Sequence, residues 1–262
     1  MSDFSKFIGA NAARLEQADL CLPRPNPTFG NPDFTTAGLK VLIVRLSPFR
    51  DVERSTPHLF LADAVRRGAP RGYVDFCFLP PEADRQVFAG AGAPLILGLE
   101  SCRTADEFEL VLFSNSYALE LINLPYMLGR SGIPVAAKDR GPEWPPFILG
   151  GSNAMCAQSV IGQDGESFLD AVFFGEGEGA VETIVRLLSA EQGSKDKRER
   201  LASAAALVPG LWVAGTGLDK PVRKHIAKRP SAADLPSCYP VLNGEEAGTA
   251  RLQVAFGCPA FC

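Results

Sequence analysis

Histidine is nearly absent: His58 and His225 are the only two in 262 residues. They share no repeated spacing, so a histidine-built metal site is not indicated. Excess positive charge is also missing. Against 30 acidic residues stand 26 basic ones, for a formal charge of -4, and a nucleic-acid-binding face needs clustered cations. The densest charge run, residues 195–200, mixes signs and reads as a solvated loop or helix start. No apolar run is long enough for a membrane helix. The first residues lack the basic-then-apolar order of a signal peptide, so the expected compartment is the cytoplasm and no membrane partner is expected. Internal repeats, low-complexity tracts and the G-x-G-x-x-G dinucleotide fingerprint are all missing. The seven cysteines are odd in number. Without a secretion signal this favours free thiols or metal ligands over a disulfide scaffold.

What is present is enough apolar sequence, 46% of residues, for a sizeable core. Residues 1–37 are rich in Pro, Asn and Phe and read as an N-terminal extension, with one short helix near 7–18, that packs on something else. A regular alternation follows. Continuous apolar runs rich in β-branched residues or Phe at 39–46 (LKVLIVRL), 74–79 (VDFCFL), 108–113 (FELVLF), 146–149 (PFIL) and 170–174 (DAVFF) predict buried strands. Between them the pattern predicts helices. The first runs from Ser55-Thr56-Pro57 to Arg67, with Gly68 just beyond its end. Others fall near 82–88, at 117–130 with Pro125 as a kink, and at 177–190. Strands alternating with helices imply β-α-β units and a parallel sheet covered on both faces. The expected fold is α/β: a doubly wound, flavodoxin/Rossmann-like five-stranded sheet over 38–192, with strand order 2-1-3-4-5. A helix (198–207), a short strand (210–213) and a linker (220–246) occupy 193–249. A new strand at 250–256 then runs into Cys258, as a β/α barrel would open.

In doubly wound sheets ligands lie beyond the carboxyl ends of the strands. That rule selects the loops after Leu46, Phe113, Leu149 and Phe174, and the last three carry candidate groups. Ser114, Asn115 and Tyr117 follow the third strand; their polar groups either satisfy helix N–H groups or donate to a ligand. Gly150 and Gly151 follow the fourth and allow either a tight turn or close approach of a ligand. Gly175, Glu176, Gly177 and Glu178 follow the fifth. The two carboxylates complement a helix N-terminus and would repel phosphate, so they suit ligand hydroxyls or amides.

The sharpest motif is Gly257-Cys258-Pro259-Ala260-Phe261-Cys262. Two thiolates four positions apart, directly after a strand, begin the Cys-x-x-x-Cys-x-x-Cys loop. That loop holds a [4Fe–4S] cluster through three cysteines and leaves one iron open. Further segments in order are Leu99-Glu100-Ser101, Phe108-Glu109-Leu110, Phe113-Ser114, Leu121-Ile122-Asn123 and Gly132-Ile133-Pro134. After them come Phe147-Ile148-Leu149-Gly150-Gly151, Phe174-Gly175-Glu176-Gly177-Glu178 and Pro209-Gly210-Leu211-Trp212-Val213. On these the sequence, from about residue 39 onward, resembles radical S-adenosylmethionine enzymes with an N-terminal cobalamin-binding-like domain, in particular an uncharacterised branch fused to further domains. The resemblance implies a cobalamin-binding Rossmann-like domain whose cofactor has no imidazole ligand. The missing Asp-x-His-x-x-Gly agrees with that. It also implies a radical barrel starting at 250–262, with Cys258 and Cys262 on the cluster and S-adenosylmethionine cleaved there. The third cysteine and the rest of the barrel are not in the chain, so the reading expects a protein truncated inside the cluster motif and inactive alone, with the missing barrel as its partner. The competing reading is a non-catalytic Rossmann-like module for cobalamin, a nucleotide or a protein partner.

Overall fold

The computed structural model describes residues 4–16, 27–53, 55–190, 196–217, 221–227 and 242. The expected strand at 250–256, with Cys258 and Cys262, lies outside the described residues, as do Cys21 and Cys238.

Six strands form one sheet: β1 (Lys40–Arg45), β2 (Tyr73–Phe78), β3 (Leu110–Ser114), β4 (Phe147–Gly150), β5 (Ala171–Phe173) and β6 (Leu211–Val213). The order is β2-β1-β3-β4-β5-β6. The first five are parallel and in the expected order, and β6 adds antiparallel to β5. The apolar runs are continuous because both faces are covered. Leu42, Val44, Val111, Phe113, Phe147 and Leu149 face one core layer. Val41, Ile43, Phe76, Leu112, Ile148 and Phe173 face the other.

The helices are α1 (Ser5–Asn11), α2 (Phe49–Val52), α3 (Pro57–Gly68), α4 (Glu82–Ala91), α5 (Asn123–Arg130), α6 (Ala180–Ala190) and α7 (Lys197–Leu207). Buried residues of α1, α4 and α5 join the first layer. Those of α2, α3, α6 and α7 join the second, which also includes Leu242.

Three helix expectations are corrected. Gly68 is the last residue of α3, not the residue beyond it. A Cβ there would stand 2.6 Å from Glu182 O, so its glycine lets α6 approach closely. The predicted 117–130 helix is split into a 3-10 segment, Ala118–Ile122, and α5. Pro125 falls in the first turn of α5, where the missing N–H forfeits no helical bond. The last helix of the sheet domain starts at Ala180 because Gly179, at φ 71°, precedes it. The mixed charge run opens α7: Asp196 is its N-cap, accepting from Glu199 N at 2.8 Å.

The N-terminal extension packs on this same domain. Ile8 and Leu15 enter the first core layer and Phe29 the second. Phe34 makes edge-to-face contacts with Tyr73 and Phe108. Strand β2 lies at the sheet edge, and Asn31 pairs with it through its side chain. Val74 N–H donates to Asn31 Oδ1 at 2.9 Å, and Asn31 Nδ2 donates to Val74 O at 2.8 Å. An exposed edge is thereby blunted.

Asp75, on β2, is fully buried. Its carboxylate accepts the N–H groups of Phe76 (2.8 Å), Glu100 (2.9 Å) and Ser101 (2.8 Å). Burial pushes the carboxyl up from its ordinary range, and these hydrogen bonds pull against that shift. Gly98 has no room for a Cβ beside Asp75 and Ser101. Cys102 takes a left-handed φ of 53° to complete the turn. Thus the Leu99-Glu100-Ser101 segment is folded around one buried carboxylate. The variant Asp75→Ala is expected to lose about 3 kcal/mol in urea unfolding, since several buried N–H donors lose their acceptor. A loss under ~1 kcal/mol would show that the loop holds without it.

Candidate functional site

The switch point of this sheet lies between β1 and β3, whose last residues, Arg45 and Ser114, are register partners. Arg45 is fully buried at the end of β1, after four apolar residues (41–44). Its Nη1 donates to Ser114 Oγ (3.0 Å) and Ser116 Oγ (2.9 Å), and its Nη2 reaches Glu120 Oε1 at 3.4 Å. Glu120, also buried, is surrounded by donors. Ser47 Oγ donates to Oε1 at 2.7 Å. The N–H groups of Ser116 (2.7 Å) and Tyr117 (3.1 Å), with Asn115 Nδ2 (3.3 Å), donate to Oε2. Burial lowers the Arg45 pKa, and the Glu120 carboxylate opposes that shift. Arg45 Nε and Asn115 Oδ1 are buried without a hydrogen-bond partner.

The structure therefore brings together Ser114, Asn115 and Tyr117, but on different terms. Ser114 and Asn115 are buried inside the network. Tyr117 hydrogen-bonds to it through its backbone, and the residue is 59% exposed. Exposed apolar residues continue along the chain, with Leu119 at 79% and Ile122 at 70%.

The β4 loop docks onto this network. Asn115 N–H donates to Gly150 O at 2.8 Å, and Asn153 Nδ2 donates to Ser116 O. Gly151, at φ 118°, lies so close to Asn115 O that a Cβ would overlap it.

After β5 the chain meets itself again. Residues 221–227 form a strap whose His225 bridges Gly175 in parallel. His225 N–H donates to Phe174 O (2.9 Å), and Glu176 N–H donates to His225 O (3.1 Å). Glu176 Oε2 accepts Ala227 N–H at 2.7 Å. Gly175, at φ 141°, has no space for a Cβ against His225 O. Gly177 and Glu178 remain partly exposed.

Sequence reasoning gave no role at this face to Arg45, Ser47, Glu120 or His225. Arg45 had a usable signal: a cation set between the apolar run 41–44 and Leu46 must be paired when buried. Glu120 and His225 gave none, because their roles depend on loops meeting in space.

No group of three or more metal-ligating side chains occurs among the described residues. His58 is buried against Phe76 and Phe78, and His225 Nδ1 lies 2.9 Å from Glu176 O. The free cysteines among the described residues are Cys77 and Cys102, both buried, and Cys156, which is exposed. Burial pushes the Cys77 thiol up to about 12, so it is inert as a thiolate ligand.

The variant Gly175→Ala should displace the strap. Trypsin cleavage after Arg223 or Lys224 is expected to quicken roughly tenfold while the global unfolding midpoint moves little, as for a locally opened segment. Unchanged cleavage would mean that Gly175 is not needed to seat His225.

A family model described as "Radical SAM proteins, N-terminal" matches residues 65–214. The match runs from the end of α3 through β6, so it contains all three loops and excludes Cys258 and Cys262. No curated protein and no solved structure matches the chain. With more than half of its length matched by that model, the chain belongs to the family of N-terminal domains of radical SAM proteins.

Proposed function

We propose that this chain is the N-terminal, cofactor-docking portion of a radical S-adenosylmethionine iron–sulfur enzyme of the cytoplasm. The observation that carries the reading is the family match over a doubly wound sheet. No helix among the described residues is long and apolar enough to cross a membrane. In this reading Cys258 and Cys262 supply two thiolates to a [4Fe–4S] cluster. The cluster and S-adenosylmethionine supply one-electron radical chemistry when bound.

The carboxyl face of the sheet is the docking side. Its ligand in this reading is cobalamin, held without an imidazole from the described residues. Ser114, Asn115, Gly150, Gly151, Gly175 and Glu176 shape the floor, while Tyr117, Gly177 and Glu178 border what is bound. The exposed side chains of Tyr117, Leu119 and Ile122 suit a partner with a broad apolar surface, which we assign to the radical barrel.

One observation favours a second reading, a non-catalytic module that only scaffolds a partner. Two of the three candidate loops are filled by the chain's own groups: Glu120 after β3 and the His225 strap after β5.

Two experiments separate the readings. Equilibrium dialysis with hydroxocobalamin is expected to show saturable binding, and its absence leaves the scaffold reading. Anaerobic reconstitution of the full-length protein with iron and sulfide is expected to give visible cluster absorbance that Cys258→Ala abolishes. A cluster unaffected by that substitution would sink the ligand assignment.

A further inference from the structure

We propose that Glu120 is a built-in anion that closes the switch point of this sheet to phosphate-led ligands and so determines which ligands the domain accepts there. The donor set around its carboxylate is one that a phosphate or carboxylate ligand would use. It comprises two successive backbone N–H groups (Ser116 and Tyr117), an amide (Asn115 Nδ2), a hydroxyl (Ser47 Oγ) and a guanidinium (Arg45 Nη2). Successive backbone N–H groups with a cation form an anion-binding concavity. This one lies at the paired ends of β1 and β3, where a doubly wound sheet takes its ligand.

Glu120 fills it from within the chain and is itself 5% exposed. A second anion would have to displace a carboxylate whose loss strands the buried Arg45 charge. A simple capping role would need only an oxygen to accept the N–H groups of Ser116 and Tyr117, which glutamine also offers. The buried guanidinium demands a negative charge, and glutamine offers none. Ligands admitted at this face are therefore those that approach through neutral hydroxyl or amide groups, or through apolar surface.

Glu120→Ala removes a CH2–COO⁻ group, the size of acetate. At constant ionic strength, the thermal midpoint of Glu120→Ala should rise with sodium acetate. Its apparent affinity should exceed that for the isosteric neutral acetamide by roughly tenfold, since the hydrogen bonds to the ion are charge-assisted. Inorganic phosphate should also stabilise this variant and leave the wild type unmoved. Glu120→Gln, with the space still filled, should respond to neither. Equal responses to acetate and acetamide, no response at all, or a wild-type response to phosphate matching that of Glu120→Ala would overturn the proposal. If Glu120→Ala does not fold in chloride, its refolding yield is the readout: recovery in acetate supports the proposal, and no recovery overturns it. No cobalamin, iron or S-adenosylmethionine enters the experiment, so its outcome is independent of the reading of the cofactors.

Discussion

A guanidinium buried in a parallel sheet must be neutralised, and much of the carboxyl face follows from how Arg45 is. Its side chain is fully buried, and an uncompensated ion there would cost several kcal/mol. Glu120 supplies the opposing charge, but it can do so only if the chain leaving β3 turns at once. That turn points the N–H groups of Ser116 and Tyr117 at the same carboxylate. It also aims Asn115 at Gly150, which seats the β4 loop, and Gly151 must be a glycine because Asn115 O lies against it. One charge pair thus sets the exits of β1 and β3 directly and that of β4 at second hand.

The sheet's margins obey a related rule, that buried backbone groups must be paired. At the β2 edge, Asn31 satisfies both the N–H and the C=O of Val74, and Leu99 N–H bonds Phe76 O. At the other margin β6 closes β5 antiparallel, and the strap continues beside Phe174 and Glu176. Near the amino ends of β4 and β5, Arg140 and Asp170 form a second buried pair. Arg140 gathers the carbonyls of Pro134, Val135 and Phe168, and Asp170 accepts Phe147 N–H at 2.9 Å. The Gly132-Ile133-Pro134 segment thereby leads into a turn tied to the sheet by ionic and backbone bonds together.

The architecture was legible because it depends on period and punctuation. Continuous apolar runs marked five strands, Thr56-Pro57 marked the start of α3, and the order 2-1-3-4-5 followed from doubly wound topology. Legibility failed where a residue answers to a distant neighbour. Gly68 reads as a helix stop, yet it ends inside α3 because α6 needs the space. The 117–130 segment has helical composition, but it begins as a 3-10 turn in which Glu120 bonds Arg45 and the N–H groups of Ser116 and Tyr117. Of the loops after the strands, the occupants could not be read from sequence. Asn115 bonds distant Gly150 as well as local partners, and Glu176 bonds His225 and Ala227 of the strap.

The glycines show why this ambiguity is physical. A glycine after a strand reports that something comes close to the backbone; it does not report what. At Gly151 the visitor is Asn115 O, and at Gly175 it is His225 O. Both are segments of this chain, so neither glycine on its own requires a ligand. A face whose anion cradle holds a carboxylate, and whose last loop holds a strap, uses the N–H groups of Asn115, Ser116, Tyr117 and Glu176 internally. What it still offers outward is Tyr117, Leu119, Ile122 and the partly exposed Gly177 and Glu178. In the proposed reading, recognition there rests on apolar area and a few neutral or acceptor groups, which suits a large ligand or a neighbouring domain better than a compact anion.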